Sequence, residues 1–396
     1  MTDRTERTRA LREALASRIL VLDGAMGSVL HQRCTIHDFG GAGFDNCSEN
    51  VLLERPDVID EIHRGYLEAG ADIIETNTFG GTRLVLDDFH IGDKVHEINV
   101  RAARLARDAA ARYSTPERPR FVAGSMGPTT KSLSVTGGVT FQQLADNYYE
   151  QARALLEGGV DFLLIETAMD TGNVKAALIG IDRLERELGY KLLVSVSCTI
   201  YDWGGMLAGQ PVDAFYASVS HRDLLSVGLN CATGPEFMTD HIRTLHQLAS
   251  TYISCYPNAG LPNAEGRYDE TPESLAKQLE RFVEHGWLNI VGGCCGTTPE
   301  HIRALAHMVE GRKPREVPPK KRRSWYAGVE LVEAEVSNRP LIVGERTNVI
   351  GSRAFRNLIA EEKWEEATEI ARRQVRNGAH IVDVCLQSTD RDELKD

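Results

Sequence analysis

Three observations predict a (β/α)8 TIM barrel over residues 1–310, followed by a linker and an incomplete second α/β barrel. Eight short apolar runs alternate with eight helical patterns, and the runs end in polar residues or glycine. The phosphate-cradling G-x-G-x-x-G that would favour an open doubly wound sheet is missing after the first run. Strict alternation implies parallel strands with right-handed crossovers, and eight repeats is the count that closes the ring. In such a barrel the chemistry sits at the C-terminal ends of the strands.

The elements follow in order. An amphipathic helix around Thr5 to Arg18 leads into Ile19-Leu20-Val21-Leu22-Asp23-Gly24-Ala25-Met26-Gly27, the first strand and its loop. A helix from Arg55 to Gly70, opened by Pro56 and closed by glycine, carries Val58, Ile59, Ile62, Tyr66 and Leu67 at helical spacing. Strand two is Asp72-Ile73-Ile74-Glu75-Thr76-Asn77-Thr78. The helix from Lys94 to Tyr113 leads to strand three, Phe121 to Pro128, and that from Phe141 to Glu157 to strand four, Phe162 to Thr167. Helices over 174–188, 212–220, 235–249 and 271–286 precede apolar runs ending at Cys198, Cys231, Asn258 and Val291. A last helix runs from Pro299 to Glu310. From Gly311 to Pro340 the pattern dissolves into a Pro- and Arg/Lys-rich linker. Leu341 to Asn348 then starts a new strand, Phe355 to Asn377 gives one helix, and His380 to Cys385 a second strand. One βαβ unit cannot bury its own faces, so the chain is expected to stop inside a second α/β domain spanning 341–396.

At 396 residues and 42% hydrophobic content the chain buries a large core. Its formal net charge of −12 argues against a nucleic-acid surface, leaving Lys320-Lys321-Arg322-Arg323 as a solvated linker patch. No apolar run is long enough to cross a bilayer and the N-terminus lacks a secretory h-region, so no membrane role is expected. Eight cysteines are too sparse for a disulfide scaffold and point to the reducing cytoplasm, with thiols free for metal or catalysis.

Three of those thiols form a constellation. Cys294 and Cys295 follow the last strand in Val291-Gly292-Gly293-Cys294-Cys295-Gly296-Thr297-Thr298. Adjacent residues of an extended chain face opposite ways, so a turn through Gly292, Gly293 and Gly296, taken here to adopt unusual backbone angles, is needed to aim both sulfurs at one ligand. Two buried core cysteines would look the same locally. The strand count decides, because it places Cys231 at the end of strand six, two strands away. Three thiolates with one open position make a catalytic rather than a structural zinc site. Such a site carries a formal charge of −1. It acidifies water weakly, but a thiol bound there is a nucleophilic thiolate, which favours alkyl transfer to sulfur over hydrolysis. Cys198 and Cys255 read as core thiols, and His241, His246 and His301, inside helical patterns, as surface or packing residues. Asp23 and Glu166 are placed to hold the ammonium of an amino-acid substrate. Backbone N–H groups near Gly24, Ala25, Met26 and Gly27, or from Ser125 to Gly127, are placed to hold its carboxylate. Glu75 and Asn77 stay open between substrate contact and turn partner.

The motifs Leu22-Asp23-Gly24-Ala25-Met26-Gly27, Glu75-Thr76-Asn77-Thr78-Phe79, Gly228-Leu229-Asn230-Cys231, Pro257-Asn258-Ala259-Gly260 and Gly292-Gly293-Cys294-Cys295-Gly296-Thr297-Thr298 closely resemble the cobalamin-dependent methionine synthases. The resemblance covers nearly the whole chain. It implies that residues 1–310 are a homocysteine-binding barrel with Zn2+ on Cys231, Cys294 and Cys295, and that Asn258 stands near the fourth position. Asp23 and Glu166 would contact the homocysteine amino group. Residues 341–396 would open a methyltetrahydrofolate-binding barrel, with Glu345 and Asn348 in the pterin site. Asp383-Val384-Cys385-Leu386-Gln387 departs from the Asp-Ile-Asn-Met-Asp common among relatives, which weakens the pterin assignment on that strand. Homocysteine would take its methyl group from methylcobalamin, recharged from methyltetrahydrofolate, on a cobalamin-binding module in the same polypeptide or a separate chain. Two other functions compete. One is a free-standing homocysteine methyltransferase using betaine or S-methylmethionine; the other is a non-catalytic thiol-binding partner subunit.

Overall fold

Helix α1 (Thr2–Ser17) stoppers the N-terminal end of a barrel before the first strand begins. Its Leu11 and Leu15 are fully buried among Leu20, Ile73, Phe121, Phe162 and Ile290, which converge from five strands. The computed structural model describes residues 2–263, 265–393 and 395–396. The chain divides into two compact units, Met1–Lys320 and Lys321–Asp396.

In the first unit, β1 (Leu20–Val21) leads through α2 (Gly27–Arg33), α3 (Ser48–Glu54) and α4 (Pro56–Ala69) to β2 (Ile73–Glu75). Then come α5 (Arg83–Leu86), α6 (Val95–Tyr113), β3 (Phe121–Met126), α7 (Phe141–Gly158), β4 (Phe162–Ala168), α8 (Thr171–Leu188) and β5 (Val194–Cys198). The series ends with α9 (Val212–Val219), β6 (Ser226–Asn230), α10 (Pro235–Leu248), β7 (Tyr252–Tyr256), α11 (Pro272–Glu284), β8 (Ile290–Val291) and α12 (Pro299–Val309). All pairings are parallel in the order β1-β8-β7-β6-β5-β4-β3-β2. The ring closes between its first and last members: Leu22 bridges Ile73 in parallel, and the Asp23 amide donates to the Ile73 carbonyl at 2.9 Å. The expected barrel is therefore present, and the open sheet is excluded.

Two carboxylates brace the N-terminal end. Asp72, fully buried before β2, accepts from Arg18, Arg118, Arg120 and the Val21 amide. Asp161, before β4, accepts from Arg7 and the Val122 amide. A buried carboxylate stripped of such partners costs about 3–5 kcal/mol, so these networks fix where strands start. Residues 311–320, read above as the start of a linker, belong to the barrel unit. Arg315 is 3% exposed and donates to the carbonyls of His246, Ala249 and Thr251.

In the second unit the rest of that stretch holds an antiparallel hairpin, β9 (Trp325–Ala327) with β10 (Leu331–Glu333). β11 (Val343–Asn348) pairs in parallel with β12 (Ile381–Cys385). The single helix expected over 355–377 is two, α13 (Arg353–Ala360) and α14 (Trp364–Arg376). Glu362 between them adopts φ 56°, a left-handed stop made without glycine and so without a sequence signal. Val349, Phe355, Ile359, Ala367 and Ile370 form a small core of their own. Among the described residues, no helix is long and apolar enough to cross a membrane.

Candidate metal centre and substrate cavity

The three cysteines stand just beyond strand ends, where backbone is free to turn. After β6, Cys231 and Ala232 both take positive φ, 61° and 57°. That conformation is uncommon for residues other than glycine. It swings the Cys231 side chain out of the strand alternation. After β8 the glycines act differently from the reading above. A Cβ on Gly292 would sit 2.7 Å from Leu22 Cβ, and one on Gly293 would sit 2.5 Å from the Thr297 side chain, so both are there for close approach. Only Gly296, at φ 80° and under the Tyr268 ring, needs the left-handed conformation. The turn is pinned by Cys294 N–H to the Pro257 carbonyl (2.8 Å), Cys295 N–H to Asn258 Oδ1 (3.1 Å) and Thr297 Oγ1 to the Cys294 carbonyl (2.7 Å).

These constraints bring the sulfurs together. Cys231 Sγ and Cys294 Sγ each lie 4.0 Å from Cys295 Sγ, and all three atoms fall within 4.8 Å of one another. A tetrahedral zinc with bonds of about 2.3 Å needs ligand sulfurs ~3.8 Å apart. Two edges of the triad are close to that spacing and the third lies within 4.8 Å, and three soft thiolates are the donor set zinc favours. Thiol hydrogen bonds from Cys231 and then Cys294 hold the Cys295 sulfur down at about 3, while Cys294, bonded to the other two thiols and buried, is pushed well up. Asn258, 3% exposed, touches the site through its bond to the Cys295 amide. His301, the nearest histidine in sequence, is spent elsewhere, with Nε2 on the Glu270 carbonyl at 2.9 Å.

A cavity of about 430 Å³ connects the triad to four carboxylates, Asp23, Glu49, Glu75 and Glu166, of which Glu49 accepts the Gly80 amide. Asp23 Oδ2 accepts the Glu75 amide at 3.0 Å, while Asp23 Oδ1 and Glu75 Oε1 are buried with no hydrogen-bond partner. Glu166 accepts from the Ser125 hydroxyl. Burial raises the carboxyls of Asp23, Glu75 and Glu166, the last to about 7, and for Asp23 and Glu75 the neighbouring acids add to it. Orphaned acceptors beside raised acids are the complement of a cation with several N–H donors.

The candidate amides separate on inspection. Ser125 N–H donates to Thr76 Oγ1, Gly127 N–H to the Phe79 carbonyl and Ala25 N–H to Thr297 Oγ1. Met26 and Gly27 lie at the start of α2, where amides have no intrahelical partner, and both line the cavity with Gly24 and Ala25. Ser125 acts on the cavity through Glu166. Asn77 lines the cavity and donates to the carbonyl of Ser48, the first residue of α3, at 2.8 Å. Cys198 and Cys255 are fully buried, the latter 3.8 Å from Met238 Sδ. In the second unit, Glu345 is exposed at a register shift of β11, and Asn348 Oδ1 accepts the Ile350 and Gly351 amides.

Sequence reasoning left Glu75 undecided and passed over Tyr256, Thr167 and Asn230. Tyr256 lines the cavity at 1% exposure with a hydroxyl lacking a partner. Thr167 lines it at φ 53°. Glu75 carried a signal, a charge at the end of an apolar run. The others are polar residues in or beside buried strands and carried none.

Residues 20–309 match the family model described as Homocysteine S-methyltransferase, and residues 344–396 match that of the Pterin binding enzyme. The chain is similar to the homocysteine methyltransferase MmuM from Escherichia coli in its oxidized and metallated forms. Each is 25% identical over 76% of this chain and 99% of that chain, with a TM-score of 0.62. The apo form of the same protein gives 0.58 over the same coverage.

Proposed function

This chain belongs to the homocysteine S-methyltransferase family, and from that premise we propose that it is the homocysteine-activating unit of a cobalamin-dependent methionine synthase with zinc on Cys231, Cys294 and Cys295. It is a methyltransferase, and homocysteine is the methyl acceptor. The observation that carries the zinc reading is the sulfur triangle, spaced for a tetrahedral ion and joined by one cavity to buried, unpartnered carboxylate oxygens.

A zinc held by three thiolates would supply a fourth position at which an incoming thiol is bound ionised at neutral pH. The chain's own residues do the rest. Asp23 Oδ1, Glu75 Oε1 and Glu166 take the three N–H donors of the substrate ammonium. The amides of Met26 and Gly27, which line the cavity, take its carboxylate. With both ends of the amino acid fixed, the sulfur-bearing arm is left to reach the cysteines, and orientation alone is worth several kcal/mol of barrier. Ser125 keeps Glu166 turned inward. Asn258 holds the Cys295 amide, so its removal loosens one ligand of the triad. The homocysteine sulfur forms the new S–CH3 bond as the methyl group's bond to its donor breaks, and the donor leaves with that electron pair.

The pterin-binding match over 344–396 supports methyltetrahydrofolate as the methyl source; methylcobalamin as carrier and Glu345 and Asn348 as pterin contacts are part of the same proposal. Exposed Phe79, Val135, Trp203, Leu207 and Leu261 on βα loops support a partner module that covers the barrel mouth. One observation favours a free-standing barrel: the match to MmuM spans 99% of that chain. Methionine formation by the zinc-loaded chain from methylcobalamin, S-methylmethionine and betaine, run side by side, tests the reading. Turnover with methylcobalamin is expected. Turnover only with the other two donors would reassign the chain to the free-standing type. Binding of homocysteine without turnover from any donor would make it a thiol-binding subunit.

A further inference from the structure

Asn230, the last residue of β6, is fully buried, and its side chain joins three strands. Its Oδ1 accepts two hydrogen bonds, from the Thr167 amide beyond β4's Glu166 (3.0 Å) and from Ser197 Oγ on β5 (2.7 Å). Two donors on that oxygen fix which way the amide faces, since a flip would set N–H groups against N–H and O–H. Nδ2 then donates to Thr167 Oγ1 at 2.7 Å, and its other N–H points at Cys294 Sγ, 4.0 Å away. In a fully buried position that second N–H has the sulfur as its outlet, and a buried donor without an acceptor is costly. Thr167 meanwhile sits at φ 53°, rare for a β-branched residue, and is clamped from both its amide and its hydroxyl by Asn230.

We propose that Asn230 is a positioning residue that ties the metal centre to the amine site: it steadies the Cys294 thiolate and, through the clamped Thr167, aims the adjacent Glu166. The proposal rests on the metal reading above. A neutral donor on one of three thiolates also draws charge from a centre of formal −1, leaving more acidity for the substrate thiol. Outer partners of this kind typically change metal affinity 10- to 100-fold.

The test loads the full chain with cobalt(II), whose thiolate charge-transfer bands report on sulfur charge, in wild type, Asn230→Asp, Asn230→Ser and Ser197→Ala. Asn230→Asp keeps an acceptor for Thr167 and Ser197 but loses the N–H donors; Asn230→Ser removes the arm altogether. Both are expected to bind cobalt about 10- to 100-fold more weakly by chelator competition, to shift the charge-transfer band to lower energy, and to raise the homocysteine Kd. Ser197→Ala, which leaves the sulfur arm intact, is expected to keep the wild-type band. Unchanged band and affinity in both Asn230 variants would overturn the proposal while leaving the metal site standing. A wild-type chain that takes up no cobalt would overturn both. Failure of both Asn230 variants to fold, with Ser197→Ala folded, would assign the residue to the barrel rather than the site and overturn the proposal as well.

Discussion

Homocysteine affinity is expected to fall as pH drops below 7, and one component of that fall belongs to Glu166. Burial holds that carboxyl up at about 7, so its charge is present above that pH and lost below it. At pH 6 about ten molecules in eleven are protonated, and each must lose the proton before pairing with an ammonium. The expected loss relative to high pH is about elevenfold in Kd, ~1.4 kcal/mol. Another component comes from the substrate thiol, which releases one proton on binding to metal. Zinc does not remove the Glu166 component. Zn2+ with three thiolates sums to a formal −1, so Glu166 would still face a negative centre with the metal bound. The assay is Kd against pH, from about 5.5 to 8.5, on zinc-loaded wild type and Glu166→Gln, which keeps an oxygen for Ser125. Any slope from Asp23 and Glu75, whose carboxyls are also raised, is common to both proteins. Log K of wild type should therefore change by nearly one unit per pH unit more than that of Glu166→Gln at the acid end, with the difference fading above about pH 7.5 and weaker binding by the variant at high pH. A variant that keeps the wild-type acid slope would refute the assignment.

Three further outcomes follow from the same geometry. Cys294→Ser with Cys295→Ser should abolish stoichiometric zinc by metal analysis; full occupancy would remove both from the ligand set. Gly24→Ala places a Cβ 2.7 Å from Thr297 Oγ1 and 2.8 Å from Tyr66 Cε1, and should cost about 1–3 kcal/mol in denaturant unfolding and weaken homocysteine binding through Asp23 next door. Unchanged stability and affinity would mean the backbone there yields freely. His63 is fully buried with neither ring nitrogen partnered, and burial holds it down at about 4. Its contribution is complete above the unfolded value near 6.5 and is lost as pH falls toward 4, about 2 kcal/mol by pH 5. Unfolding of His63→Met at pH 7.5 and 5 should lack that component, and an undiminished pH dependence would contradict it.

The barrel was legible because parallel strands buried on both faces read as plain apolar runs, and the helices between them carry helical periodicity. What stayed hidden had no composition to betray it. Arg315 lies in a Pro- and Arg-rich stretch that reads as linker, yet its guanidinium finds three carbonyls at the barrel's N-terminal end. The break between α13 and α14 turns on Glu362, a good helix former forced to positive φ. The hairpin of β9 and β10 is held by Trp325 Nε1 on Glu333 and by pairing across a short turn, with no Asn-Gly to announce it.

The cysteines show where the limit falls. Five barrel cysteines follow or end strands, and residue type alone cannot rank them. Position relative to the strand end does. Cys198 and Cys255 lie within β5 and β7, where a side chain must obey the two-residue alternation, and both are sealed in the packed core. Cys231, Cys294 and Cys295 lie one to four residues past β6 and β8, where positive φ at Cys231 and Gly296 and close contacts at Gly292 and Gly293 release the chain from that alternation. A strand makes a thiol structural, and the loop beyond it lets one be aimed. The strand ends were predictable from the apolar runs, so the convergence of the three candidate ligands was as well. The groups that hold the aim, Asn230 above all, sit on the strands themselves among residues whose burial is indistinguishable in sequence from packing, and only the fold reveals that their polar atoms point at the site.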